Sequence, residues 1–148
     1  MPQHALETLA RSGDETQWGS RGLYLFGEAL RGLERHQEAL LYLARAAQVA
    51  PGNIHVWIAM GWCYKRTGRI DLAIEALEQA RRAEPAEPLI HYNLACYLSL
   101  AGKKRRALTH LSEALSIDPH FRALIDDETD FDPLRSDPDF QALTSIIV

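Results

Sequence analysis

Apolar residues along most of the chain recur at steps of three and four, which is the spacing of a helix face and not of a strand. In the middle of the chain, one apolar stripe contains Trp57 and Met60, and a second contains Ala73 and Leu77. Gly68 lies between the two stripes and is typical of a tight turn. The pattern therefore predicts two amphipathic helices that are joined by a short connection.

The same helix pair returns at a fixed step along the sequence. Pro51, Pro85 and Pro119 are spaced 34 residues apart, and each follows the second helix of a pair, which it prevents from continuing. Small and apolar residues keep the same step at Ala39, Ala73, Ala107, Leu43, Leu77, Leu111, Ala46, Ala80 and Ala114. Self-similarity at a fixed period indicates stacked units that share one continuous core.

The second unit carries a characteristic residue at nearly every position that recurs with the 34-residue step. These are Trp57, Met60, Gly61, Tyr64, Gly68, Ala73, Leu77, Ala80 and Pro85. The set resembles the tetratricopeptide repeat. The first unit departs from it with Leu23 at the tryptophan position and Glu34 at the turn glycine, and the third with His91 and Leu98 at the tryptophan and tyrosine positions. The resemblance implies an all-α solenoid of three helix pairs.

This resemblance predicts the organisation of the whole chain. We expect an N-terminal capping helix and linker, three repeats and an acidic C-terminal capping segment, at residues 1–19, 20–53, 54–87, 88–121 and 122–148. The exposed end faces of a repeat array need such caps, because they would otherwise leave apolar surface in water. Ala5, Leu6 and Leu9 can form the apolar side of the first capping helix.

The C-terminal segment carries a clear helix start. Ser136 or Asp137 can cap a final helix, with Pro138 in its first turn, where a missing N–H does no harm. The apolar stripe of that helix would consist of Phe140, Leu143, Ile146 and Ile147. We expect this segment to close the third repeat; the alternative is an exposed motif that another protein recruits.

Composition narrows the class of protein. The chain has 148 residues and a formal net charge of −4, which argues against nucleic acid as the main partner. It shows neither an apolar run of about 18 residues nor a secretory signal, so we expect no membrane insertion and a cytoplasmic location. Cys63 and Cys96 are interpreted as reduced thiols of a reducing compartment.

The candidate binding site follows from the resemblance. In such a stack the first helix of each pair lines a concave groove, so its remaining positions would face a ligand. These positions are Arg21, Tyr24, Glu28, His55, Ile58, Trp62, Arg66, Tyr92, Asn93 and Cys96. Trp62 is the most informative of them, because packing within the repeat does not require a tryptophan there; the alternative is burial beneath the tail or a neighbouring helix. The cations of the groove suit an acidic or carboxylate-terminated peptide.

Two further segments of the chain are strongly charged, one basic and one acidic. Lys103–Arg106 forms a basic block, and eight carboxylates lie between Asp118 and Asp139. Two solvated surfaces are the simpler interpretation, and a docking patch for an acidic partner is the alternative.

No chemistry of an enzyme is indicated. The six histidines are scattered without ligand spacing, and no phosphate loop or nucleophile motif occurs, so we expect no catalytic site, no cofactor and no metal site. The predicted function is a non-catalytic scaffold or adaptor that binds a peptide segment of a partner protein. The alternatives are a small secretion-type chaperone that dimerises through its N-terminal helix, and a scaffold that assembles with itself.

Overall fold

The computed structural model describes residue 3 and residues 18–145 of the chain. Within residues 18–145 all regular secondary structure is helical, which confirms the all-α prediction. The longer helices are α1 Ser20–Gly32, α2 His36–Val49, α3 Ile54–Arg66, α4 Ile70–Ala83, α5 Pro88–Leu100 and α6 Lys104–Ile117. A tail follows with a 3₁₀ turn at Pro119–Phe121, α7 Arg122–Ile125, a 3₁₀ segment at Thr129–Leu134 and α8 Pro138–Thr144.

Some predicted features fall on residues that the structure does not describe. The N-terminal capping helix around Ala5, Leu6 and Leu9, and the end of the apolar stripe at Ile146 and Ile147, lie outside the described residues. Among the helices of residues 18–145, none is both long enough and apolar enough to cross a lipid bilayer. The described chain divides into two compact units, the first ending at Ala83 and the second beginning at Glu84.

In the first unit, α1 packs against α2 and α3 packs against α4, and α2 also contacts α3. The repeated small residues form the centre of these contacts, since Ala39, Leu43, Ala73 and Leu77 are all 0% exposed. A Cβ added at Gly27 would lie 2.8 Å from two carbon atoms of the Leu43 side chain. The helices of the first pair therefore cross too closely for a larger residue, which would cost about 1–3 kcal/mol as overpacking.

The turn inside each pair has the same geometry in all three repeats. Glu34, Gly68 and Gly102 have positive φ angles of 60°, 78° and 74° and stand at equivalent positions. The residue after each turn donates its N–H back to the first helix, with Arg69 N bonding Tyr64 O at 2.8 Å. This pattern satisfies carbonyls at the helix end. Glu34 adopts the left-handed conformation without being a glycine, at a cost of roughly 1 kcal/mol.

In the second unit, α5 packs against α6, and the tail returns to cover α5. The 3₁₀ segment Thr129–Leu134 lies on α5, and α8 contacts α6. Phe131 and Ile125 of the tail are 0% and 1% exposed, so the tail contributes to the core of this unit. The tail therefore closes the third repeat, as predicted.

Two polar contacts hold the last helix. Asp137 accepts hydrogen bonds from the N–H groups of Asp139 and Phe140 at 2.9 and 3.1 Å, which confirms it as the predicted N-cap. Lys104 Nζ lies 2.7 Å from Asp137 Oδ2 and 3.1 Å from Asp139 Oδ2. The hydrogen bond from Lys104 lowers the pKa of Asp137 below its usual range. Part of the basic block is therefore used inside the unit, to hold α8 at the start of α6.

Candidate functional site

One of the predicted site residues on α1, Glu28, is held by an arginine of the same helix. Arg31 donates from Nε and Nη2 to the two carboxylate oxygens of Glu28, at 2.9 and 2.8 Å. This pairing raises the pKa of Arg31, because the hydrogen bond stabilises the charged guanidinium. Tyr24 is half-buried, and burial followed by the nearby Glu28 charge raises the pKa of its hydroxyl. Arg21 is exposed at the start of the helix.

The predicted site residues on α3 lie around an accessible tryptophan. Trp62 is 39% exposed, and it has Lys65 Nζ at 5.2 Å and Arg66 Cζ at 5.9 Å from its ring centroid. Both distances fall within the range of cation–π attraction. Ile58 is half-buried and His55 is exposed, with its N–H donated to the capping side chain of Asn53. Neighbouring elements therefore do not bury Trp62, in contrast to the alternative interpretation.

The first unit brings these two groups together, because α1 and α3 contact each other. Burial raises the pKa of the Cys63 thiol on α3 to about 11. The charges of Arg31 and Glu28 on α1 lie close enough to affect the same pKa. The two helices together carry four cationic side chains, Arg21, Arg31, Lys65 and Arg66, against the single carboxylate of Glu28. The surface that α1 and α3 present is therefore basic.

The predicted site residues on α5 have a different environment. Tyr92 is 5% exposed and Cys96 is 3% exposed, whereas Asn93 is half-buried. The Tyr92 ring packs against two tail residues, with centroid distances of 5.2 Å to Phe121 and 5.7 Å to Phe131. A partner could reach Tyr92 and Cys96 only after the tail had moved. In this conformation Asn93 alone of the three has a side chain that is not buried.

Two side-chain clusters of the second unit have no counterpart in the sequence analysis. His91 Nδ1 lies 3.0 Å from His110 Nδ1, and His91 Nε2 lies 2.6 Å from the carbonyl oxygen of Pro85. Cys96, Glu128 and Asp130 form the other cluster, with ligand atoms within 4.8 Å of one another. Both clusters join residues far apart in the chain, so no local motif could have revealed them. Among residue 3 and residues 18–145, the second cluster has the ligand types and the spacing that could hold a metal ion.

Comparison with known proteins identifies the repeat. Residues 30–95 match the family model described as tetratricopeptide repeat. The all-helical structure also superimposes on solved repeat proteins, including YrrB, described as "a TPR protein with an unusual peptide-binding site", with a TM-score of 0.74. Residues 30–95 therefore carry tetratricopeptide repeats. The identity of this chain to YrrB is 25%, over 86% of this chain and 66% of that chain.

Other relatives of this repeat protein agree with the assignment of the fold. A crystal structure of MamA matches with a TM-score of 0.74 and 23% identity, over 80% of this chain and 70% of that one. Residues 41 to the end of MamA from Desulfovibrio magneticus RS-1 match with a TM-score of 0.74 and 19% identity, over 96% and 83%. Superkiller protein 3 of Schizosaccharomyces pombe is 26% identical over 80 residues, which are 54% of this chain but only 6% of that protein. Tetratricopeptide repeat proteins generally act as protein-interaction modules.

Proposed function

We propose that this tetratricopeptide repeat protein is a non-catalytic scaffold or adaptor that binds a peptide segment of a partner protein on the surface of α1 and α3. The observation that carries the proposal is the partly exposed Trp62 with two cations over its ring. Tryptophan and arginine are the residues that most often dominate protein interfaces, because a large ring loses much water-exposed area on contact at a small cost in side-chain entropy.

The charge of this surface indicates the chemistry of the peptide. Four cations and one carboxylate on α1 and α3 favour a ligand with acidic side chains or a terminal carboxylate. The Glu28–Arg31 pair satisfies part of that charge internally. Lys65 and Arg66 lie over the ring of Trp62, so a ligand that contacts Trp62 would also lie near their charges. Arg66 Nη2 lies 3.7 Å from Glu34 Oε1, which is a loose ion pair between two exposed side chains.

Preorganisation is the proposed mechanism of binding. The helix pairs are held by fully buried small residues, so the surface would lose little entropy when a peptide binds. An affinity on the order of micromolar, roughly −8 kcal/mol, is typical of a short peptide on such a surface. The proposed surface does not include the site residues predicted on α5, which belong to the second unit. Tyr92 and Cys96 are buried there, and a role of Asn93 in binding stays a prediction.

The experiment begins with a partner peptide, selected from a display library or mapped by crosslinking in the native extract. Calorimetric titration then compares the wild type with Trp62→Ala. We expect at least about tenfold weaker binding, which corresponds to roughly 1.4 kcal/mol, because Trp62 supplies the apolar contact. The helical circular dichroism should not change, since Trp62 is partly exposed.

Leu41→Ala is the matched control. Leu41 is 67% exposed on α2, the second helix of the first repeat, so its loss removes apolar surface outside the proposed site. Binding should be unchanged in this variant. Equal affinities of wild type and Trp62→Ala would contradict the proposal, and so would a loss of affinity that Leu41→Ala reproduces.

A further inference from the structure

A buried group of potential metal ligands lies between α5 and the tail. Cys96 of α5 and Asp130 of the 3₁₀ segment are 3% and 5% exposed, and Glu128 just before that segment is half-buried. Their ligand atoms, one sulfur and two carboxylate oxygens, all lie within 4.8 Å of one another. Nothing in the proposed peptide site uses this cluster, which belongs wholly to the second unit.

A fourth polar atom lies on the same face of α5 as Cys96. The hydroxyl of Tyr92, one turn before Cys96 on the same face of α5, is buried and has no hydrogen-bond partner. Burial raises the pKa of this hydroxyl first, and the charges of Cys96, Glu128 and Asp130 raise it further. The phenolic oxygen therefore lies within electrostatic reach of all three groups of the cluster. A buried hydroxyl without a partner is energetically unfavourable, so this position favours an additional bound species.

The loop that supplies the carboxylates is held in place from one side. Arg135 Nη2 donates to the carbonyl oxygens of Ile125 and Glu128, at 2.7 Å each. Glu128 Oε1 in turn accepts the N–H of Asp130 at 3.1 Å. These bonds fix the backbone of the loop, so the two carboxylates reach Cys96 from a defined direction.

The electrostatics of the cluster favour a cation. Two carboxylate oxygens and one sulfur within 4.8 Å of one another are the kind of ligand set that a cation can bridge. The Arg135 guanidinium supplies one positive charge nearby. This charge lowers the pKa of the Tyr92 hydroxyl, against the effect of the three negative groups. A thiolate and two carboxylates carry three negative charges, which Arg135 and one divalent ion would balance.

We propose that Cys96, Glu128 and Asp130 bind a divalent transition-metal ion of the zinc class, next to the Tyr92 hydroxyl, and that this ion fastens the tail to α5. A sulfur ligand selects such an ion over magnesium and calcium, which prefer oxygen alone. Ligand atoms around a tetrahedral zinc ion lie roughly 3.3–3.8 Å apart, so small side-chain rotations would complete the site. Cys96 loses its thiol proton when the metal binds.

The test uses Co²⁺ as a spectroscopic probe of the full chain after treatment with a chelator. A bound thiolate gives Co²⁺ a charge-transfer band in the near ultraviolet. We expect this band to saturate at one ion per chain in the wild type and to disappear when Zn²⁺ is added. Absence of the band in the wild type would overturn the proposal without reference to any variant.

The two cysteines provide an internal control. Cys63 is also buried, at 0% exposure, but it belongs to the first unit and is not part of the cluster of Cys96, Glu128 and Asp130. Cys63→Ser should keep the band and Cys96→Ser should lose it. The opposite result, or loss in both variants, would contradict the assignment of the thiol.

The carboxylates provide a second control that does not depend on Cys96. Asp130→Asn should weaken Co²⁺ binding at least about tenfold, whereas Asp132→Asn, which changes an exposed carboxylate of the same 3₁₀ segment, should leave it unchanged. In the wild type, Zn²⁺ should raise the thermal midpoint by about 4 °C or more, because the ion binds only the folded tail. Equal Co²⁺ affinity of the Asp130 variant and the wild type would overturn the proposal.

Discussion

Ile58 and Trp62 of the second repeat occupy the same two repeat positions as Tyr92 and Cys96 of the third, one 34-residue step away. The two pairs nevertheless differ in accessibility, since Trp62 is 39% exposed and Cys96 is 3% exposed. The difference arises because the tail folds over α5 and places Phe131 against Tyr92. Position within a repeat therefore predicts the face of the helix on which a residue lies, while the following segment of chain decides whether that face is open.

The same comparison separates two uses of a first-helix surface. In the second repeat the surface carries a tryptophan with cations above its ring, which is suited to a ligand from outside. In the third repeat the surface carries smaller or buried groups, and aromatic residues of the chain itself cover it. The tail thus covers α5 of its own chain, in the way that we propose a bound peptide covers α3.

The largest effect is expected from removal of the principal contact between tail and repeat. Phe131 is 0% exposed and packs against Tyr92 and Phe140, so Phe131→Ala should lower the free energy of unfolding of the second unit by about 3–5 kcal/mol. Urea denaturation followed by circular dichroism measures this loss. Leu124→Ala is the control in the same tail, because Leu124 is 52% exposed and its removal should cost less than about 0.5 kcal/mol.

An intermediate effect is expected in the reactivity of the two buried thiols. Cys96 becomes accessible when the tail opens, whereas Cys63 lies in the core of the first unit and its raised pKa, about 11, keeps it protonated. Phe131→Leu should loosen the tail and speed thiol labelling of Cys96 by roughly tenfold, the factor that corresponds to about 1.4 kcal/mol. Labelling of Cys63 should not change.

Single-cysteine variants make the two labelling rates separable. Cys63→Ser reports on Cys96 alone, and Cys96→Ser reports on Cys63 alone, each with and without Phe131→Leu. Parallel acceleration of both thiols would mean that the tail does not protect Cys96 specifically, and the comparison between the two surfaces would fail.

The smallest effect is expected at the ion pairs that hold α8. Lys104 lowers the pKa of Asp137, so the carboxyl is more acidic in the folded chain than in the unfolded one. The resulting stabilisation is present at neutral pH and is lost as the pH falls below about 4, where the carboxyl takes up a proton. Lys104→Met should therefore lower the thermal midpoint slightly at pH 7, and the difference from wild type should vanish in acid and in concentrated salt.

Lys103→Met is the neighbouring control for this ion pair, because Lys104, and not Lys103, lies within 2.7 Å of Asp137. It should show no pH-dependent difference from wild type. A difference between wild type and Lys104→Met that persists unchanged at pH 3 would contradict an origin in the Asp137 charge.

The sequence by itself determined the parts of this protein that depend on neighbours along the chain. The helical spacing, the step from Pro51 to Pro85, the turn positions of Gly68 and Gly102 and the cap at Asp137 all express local rules of backbone geometry and hydrogen bonding. They sufficed for the helix pairs and for the face of each first helix. The groove as a binding site for a peptide stays a prediction.

Only the tertiary structure decided which predicted site residues are accessible. Cys96 and Asp130 are separated by more than 30 residues, and their proximity depends on how the tail packs its aromatic side chains against α5. Such a contact depends on complementary shape and on burial of apolar area, neither of which has a period in the sequence. The covered surface of the third repeat and the cluster beneath it are consequences of that packing.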